Sequence, residues 1–173
     1  MFGKHFELNA QMMQLLEQIG AHMPGGFFVY KDSGDGELIY ANKVTLEIFG
    51  CNDMDEFKKI TGYTFKGMVH PDDYPAVCES IHKQISTNEE KLDRVQYRII
   101  AKNGTIRFVD DYGHFAETER YGGIFYVFLT DITEQHERFE NDEAIKRSII
   151  EVLTQSYNTV CIIRDLSTGD FSI

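Results

Sequence analysis

A chain of 173 residues holds one domain of ordinary size with flanking elements, but not two complete ones. Hydrophobic residues at 42% can build a real core, and a formal net charge of −11 argues against nucleic acid or an anionic membrane as partner. Cys51, Cys78 and Cys161 are odd in number and widely spaced, so they form neither a disulfide framework nor zinc-ligand pairs, and reduced thiols in the cytoplasm are expected. No apolar stretch approaches the length of a membrane span, and the first residues lack a signal-peptide pattern, so no direct membrane contact is expected. A longer, membrane-anchored parent is compatible with both observations.

Leu8, Met12, Leu15, Leu16 and Ile19 recur at the spacing of one helix face, and Pro24-Gly25-Gly26 ends that amphipathic helix, expected over 1–23. A strand over 27–30 turns through Asp32-Ser33-Gly34-Asp35-Gly36 into a second over 37–40. Val44, Ile48 and Phe49 suggest a short helix closed by Gly50, and a further short helix covers 54–60 with Gly62 after it. His70-Pro71-Asp72-Asp73 marks the next helix start, where proline is tolerated and the acids complement the dipole. Tyr74, Val77, Cys78, Ile81 and Ile85 supply that helix with its buried face.

The period then changes from helical to alternating. Val95, Tyr97 and Ile99 alternate with Arg94, Gln96 and Arg98; Asn103-Gly104 makes a hairpin turn; Ile106 and Phe108 then alternate with Arg107 and Val109. The apolar run over 124–129, opened by Gly122-Gly123, reads as a last buried strand. It stops at Asp131-Ile132-Thr133-Glu134, where Asp131 or Thr133 can cap a helix and Asp131 has capping-box spacing to Glu134. The charged segment 134–156 is the expected exit helix. Two strands, several short helices and three long strands make an α+β fold with its helices on one sheet face.

Several of these segments fall in a specific order: Tyr40-Ala41-Asn42, Phe49-Gly50, His70-Pro71-Asp72-Asp73, Tyr97-Arg98, Lys102-Asn103-Gly104-Thr105-Ile106-Arg107 and Asp131-Ile132-Thr133-Glu134. Together they resemble a PAS domain, of the type whose C-terminal half has been called the PAC motif, over residues 25–134. The resemblance implies a five-stranded antiparallel sheet with short helices on one face, flanked by N-terminal and C-terminal helices. It places the domain at 24–133. It also implies a sensory module of a bacterial-type signalling protein, upstream of a histidine kinase, diguanylate cyclase or phosphodiesterase. Under the same resemblance Asp131 and Thr133 latch the final strand to the exit helix, with Arg107 the basic partner of the acid. An internal match adds a further boundary: Ile149-Ile150-Glu151-Val152-Leu153 before Cys161-Ile162-Ile163-Arg164 repeats the pattern ahead of the first strand. Residues 157–173 therefore read as the start of a second such domain, with 161–164 its first strand.

Chemistry-bearing residues are few. His136 lacks the following proline and the nucleotide-binding region that a histidine-kinase phosphoacceptor keeps, so it reads as a solvated helix residue, and His70 as a helix-start residue. His82 lies on the helix from which some haem-binding PAS domains offer a ligand, yet it sits beside the apolar face, and haem is disfavoured. The segment Tyr63-Thr64-Phe65-Lys66-Gly67-Met68 has no cysteine where light-oxygen-voltage domains carry the reactive one, which disfavours covalent flavin; any cofactor is left unknown. Asp32 to Glu37 superficially resembles a calcium loop, but Gly34 and Gly36 stand where oxygen ligands are needed.

A ligand pocket needs apolar walls and a few polar groups. Phe65, Met68, Ile81, Phe108 and Phe128 can supply the first, and Tyr74, Tyr97, Asp110, Tyr112 and Tyr126 the second. The expected activity is therefore sensory and non-catalytic, through a small ligand or a partner, with a ligand-free dimerisation module as the alternative. Apolar residues on both faces of the last strand call for a cover, which assigns Met12, Leu15, Leu16 and Ile19, of the same chain or of a partner, to the outer face and predicts a homodimer.

Overall fold

A computed structural model describes residues 17, 18, 20 and 22–168, with side chains through Thr154. Five strands, β1 (Gly26–Lys31), β2 (Leu38–Ala41), β3 (Leu92–Ile100), β4 (Ile106–Thr118) and β5 (Gly122–Asp131), form one antiparallel sheet in the order β2-β1-β5-β4-β3. Between β2 and β3 run the helices α1 (Lys43–Ile48), α2 (Met54–Thr61), α3 (Phe65–Met68) and α4 (Tyr74–Thr87). A long helix, α5 (Thr133–Thr168), follows the last strand. Residues 1–133 and 134–173 are separate units.

Local sequence explains why the helices are short. Each of the first three has a side-chain cap: Asn42 accepts from the Thr45 amide, Asp53 from that of Glu56, and Thr64 from that of Gly67. Gly62 ends α2 in the left-handed region at φ 61°, which a glycine adopts without the Cβ penalty. Asn42 does more than cap. Buried at 3% exposure, it also accepts from the Phe27 amide and donates to the carbonyls of Gly20 and Gly25, so β1, α1 and the segment before β1 meet on one side chain.

The inner core lies between these helices and one sheet face. Leu46, Phe57, Phe65, Met68, Val77 and Ile81 from the helices meet Phe28, Val95, Tyr97, Ile99, Val109, Val127 and Leu129 from the strands. Burying one such side chain contributes about 1.5–3 kcal/mol. A smaller cluster, Val29, Tyr40 and Ile124 with Phe27, Ile39, Tyr121 and Tyr126, occupies the other face.

Three expectations need correction. The phase of β4 is the reverse of the one read from Ile106 and Phe108: Val109 is buried in the inner core, while Ile106 is exposed and Phe108 half-buried on the other face. Pairing decides this, because Val109 stands opposite Tyr97, whose face is set by the alternation of β3. Secondly, 161–164 is helical, since α5 runs to Thr168. A single strand lacks a pairing partner, whereas a helix satisfies its own backbone groups. The exit helix accordingly extends past 156. Thirdly, Glu134 does not close a capping box with Asp131; it pairs with Arg138 one turn on. Of the N-terminal helix, Glu17, Gln18 and Gly20 are helical; Leu8, Met12, Leu15, Leu16 and Ile19, and the cover assigned to them, lie outside the described residues. No helix among the described residues is long and apolar enough to cross a membrane.

Candidate functional site

The turn after β1 folds back over the start of α3: the Phe65 amide donates to the Gly36 carbonyl at 2.7 Å, and the Lys66 ammonium meets Asp35 at 2.9 Å. Behind this turn a cavity of about 70 Å³ opens between the sheet and α4, lined among others by Tyr30, Phe65, Tyr74, Cys78, Ile81 and Phe125. Tyr30 is held between two rings, Phe65 at 4.5 Å and 5° and Phe125 at 4.9 Å and 11°. Both pairs are stacked, which fixes the wall of the cavity. At the mouth, Asp32 lies 3.8 Å from His82.

Two carboxyls stand on the same inner face. Asp93 continues the buried row of Val95, Tyr97 and Ile99, and Asp111 follows Val109 on β4. The Tyr97 hydroxyl donates to Asp111 Oδ2 at 2.7 Å. Asp93 lies across Gly113, its cross-strand partner: a Cβ there would fall 2.4 Å from Asp93 Oδ2. Burial pushes the Asp93 carboxyl up to about 6 and that of Asp111 well above the usual range; for Asp111 the hydrogen bond from Tyr97 opposes the shift, and the acids Asp93 and Asp110 add to it.

The ten predicted pocket residues divide between the two sheet faces. Phe65, Met68, Tyr74, Ile81 and Tyr97 lie on the inner side, and Phe65, Tyr74 and Ile81 among them line the cavity. Phe108, Asp110, Tyr112, Tyr126 and Phe128 stand on the opposite face, away from it. There Asp110 takes two hydrogen bonds from Arg94, at 3.0 and 2.7 Å, and the same guanidinium lies 4.7 Å over the Tyr112 ring. The apolar character of both faces hid this division, because it removes the contrast that sets a strand's phase. Sequence reasoning missed Tyr30, Phe125, Asp93 and Asp111. The first two sit in strands it recognised, and an aspartate two residues before Val95 in an alternating strand was the available signal for Asp93.

The exit of β5 has the expected partners. Asp131 Oδ1 accepts from the Thr133 amide at 2.9 Å and from its hydroxyl at 2.5 Å, while Thr133 Oγ1 accepts from the Phe108 amide at 3.0 Å. Arg107 Nη1 lies 3.5 Å from Asp131 Oδ2 and donates to the Ile48 carbonyl at 2.7 Å, so one guanidinium touches both the end of α1 and the end of β5. The His70-Pro71-Asp72-Asp73 segment is anchored in the same manner: Asp73 takes two hydrogen bonds from the Arg98 guanidinium and one from the Arg98 amide, and these hold its carboxyl below the usual range.

Comparison with known proteins decides the family. A sequence profile described as PAS fold matches residues 38–127, more than half of the chain. The chain belongs to the PAS fold family. Solved PAS structures agree with it in fold. A PAS domain from a two-component sensor histidine kinase has 13% identity and TM-score 0.54, covering 70% of this chain and 96% of that one. The PAS domain of a protein from Colwellia psychrerythraea has 16% identity and TM-score 0.56, covering 71% and 98%. An RNA-binding light-oxygen-voltage receptor has 14% identity and TM-score 0.59, covering 84% of this chain and 40% of the receptor. No curated protein matches the chain.

Proposed function

We propose that this PAS domain is a non-catalytic, cytoplasmic sensory module. It takes a small ligand between α4 and the sheet and passes its state through β5 into α5. The observation that carries the reading is that one strand holds both ends of the route: Phe125 of β5 lines the cavity, and Asp131, six residues on, makes the latch with Thr133 and Arg107. A displaced Tyr30–Phe125 stack shifts a strand that has no loop in which to absorb the change. The output is a histidine kinase, diguanylate cyclase or phosphodiesterase outside this chain; one structural relative is a PAS domain of a sensor histidine kinase.

A second reading, a ligand-free homodimerisation or docking module, is favoured by a different observation. The outer face of β3 and β4 exposes Leu92, Ile100, Ile106 and Tyr112, each at more than 40%. Native mass spectrometry with an absorption spectrum tests both. A small non-covalent mass retained on the domain, with no visible colour, is the expected result. A dimer that never carries or takes up a ligand supports the second reading, and a stoichiometric flavin or haem band overturns the expected chemistry.

A further inference from the structure

We propose that the cavity is specific for a small neutral carbonyl compound, a short amide or ketone, whose oxygen accepts a hydrogen bond from the Tyr30 hydroxyl. The inference rests on the reading of the domain as a ligand-binding module and names the class of ligand. Tyr30 is 5% exposed and lines the cavity, and its hydroxyl has no hydrogen-bond partner among the described residues. A buried donor without an acceptor costs stability, and most such groups in folded proteins find one. Here the open space beside Tyr30 is where an acceptor can stand.

The surroundings of that hydroxyl select the charge of the ligand. Both faces of the Tyr30 ring are covered, by Phe65 at 4.5 Å and by Phe125 at 4.9 Å, so the ring presents an edge rather than a face to the cavity. Ring edges are the positive side of the aromatic quadrupole, which attracts an electron-rich oxygen and offers a cation nothing. Two further polar groups of the wall, the Tyr74 hydroxyl and the Cys78 thiol one turn on along α4, are neutral donors as well. Burial first, then the hydrogen bond with Cys78, push the Tyr74 hydroxyl up to about 12, and burial pushes that of Tyr30 well up too. Both therefore keep their protons, and with them their capacity to donate, at neutral pH.

The charged groups of the wall are already matched in pairs. Lys31 is joined to Glu37, and Asp32 stands 3.8 Å from His82 at the mouth. An ion taken inside would lose its water without gaining a countercharge, whereas a carbonyl loses only hydrogen bonds, one of which Tyr30 replaces. Phe65, Ile81 and Phe125 supply the apolar contact for its methyl groups. Size narrows the class further. An apolar cavity of about 150 Å³ admits benzene, so this one, at about 70 Å³, takes a molecule of about four heavy atoms.

Acetamide, acetate and acetamidinium are planar, nearly isosteric and differ in charge. The test titrates each of them, and acetone, into the isotopically labelled 173-residue chain at constant ionic strength and follows the backbone amide shifts. Xenon, in a separate titration, reports whether the cavity admits any ligand at all. The expected result is saturable, millimolar binding of acetamide and acetone at the amides around the cavity, and binding weaker by about tenfold or more for acetate and acetamidinium. Tyr30→Phe keeps the ring between Phe65 and Phe125 and removes only the hydroxyl. It should weaken acetamide by about fivefold and leave xenon unchanged. The charge series needs no variant and decides the matter if Tyr30→Phe fails to fold. Acetate or acetamidinium bound as tightly as acetamide overturns the inference, and so does acetamide binding that is unchanged in Tyr30→Phe; both results leave the ligand-binding reading standing. Xenon bound without any of the organic probes also overturns it, because the cavity then admits ligands but not this class. If xenon and the organic probes all fail to bind, the cavity itself fails as a small-ligand site, and the inference falls with that reading.

Discussion

Asp110 and Asp111 are neighbours on β4, and the pleat sends one to each face of the sheet, where the same functional group meets opposite conditions. On the outer face Asp110 receives a bidentate Arg94, itself half open to solvent. On the inner face Asp111 has one tyrosine hydroxyl, an acidic neighbour in Asp93 and, among the described residues, no cationic partner. The first arrangement makes a charge welcome; the second keeps a proton on the acid. A paired acid is held charged by its partner, whereas an unpaired buried acid costs stability whenever it ionises. Four substitutions probe this difference.

The largest effect is expected at Asp93, and it depends on pH. Burial raises its carboxyl from the ordinary 3.8 to about 6, so the folded state favours the protonated form. Below about pH 4 the acid is protonated in both states and costs nothing. As pH rises toward 6 the unfolded chain ionises freely while the folded one resists, and the penalty grows to about 3 kcal/mol above that range. Asp93→Asn should therefore exceed the wild type by only about 0.5 kcal/mol in urea melts at pH 4 and by up to about 3 kcal/mol at pH 7. Parallel stability profiles across that window would show Asp93 to be solvated or already paired.

Second in size is Gly113, whose missing side chain leaves room for Asp93. Gly113→Ala should cost about 2 kcal/mol by overpacking. The cost should largely vanish in an Asp93→Ser background, which withdraws the carboxylate. An additive double-mutant cycle would mean that the two do not share the space.

These two residues also show how far the sequence was legible. The alternation of β3 is visible from Val95 to Ile99, and His70-Pro71-Asp72-Asp73 marks the start of α4 through its proline and acids, whereas the caps at Asn42 and Asp53 emerge only from the structure. The family resemblance then supplied the order of the elements, and the Arg107–Asp131 contact stands where the resemblance implied it. The candidate site was half legible. Phe65, Tyr74 and Ile81, which helix and turn signals placed, line the cavity, whereas Phe108, Asp110, Tyr112, Tyr126 and Phe128 stand on the opposite sheet face. Their strands carry apolar residues on both faces, so only cross-strand register, a non-local property, fixes the phase. Asp93 was passed over because an acid is not expected in a buried row, although its position in that row was plain.

Third, Arg94→Ala removes the partner of Asp110, which is itself only 7% exposed. The guanidinium is half solvated, so its Coulombic worth is screened, and the expected loss is about 1 kcal/mol. Adding Asp110→Asn should restore part of it, since the remaining group is then neutral. A loss that persists undiminished in the double variant would assign Arg94's contribution to its contact with Tyr112 instead.

The smallest stability effect is expected at a third kind of acid, Asp131, which is neither fully paired nor buried. Its carboxylate is half exposed and stands 3.5 Å from Arg107, a geometry worth about 0–1 kcal/mol. Yet it also holds the first amide and hydroxyl of α5, at Thr133, and Thr133 in turn holds the Phe108 amide. Asp131→Ala thus removes little energy from the core and much order from the junction. Hydrogen exchange separates the two: residues 134–150 should lose protection while 95–129 keep theirs. Uniform loss in both segments would make Asp131 an ordinary stabilising residue of the fold. Unchanged exchange in 134–150 would show that the helix start is held by Thr133 and Phe108 alone, and the route from cavity to α5 would then have to run through Arg107 and the end of α1.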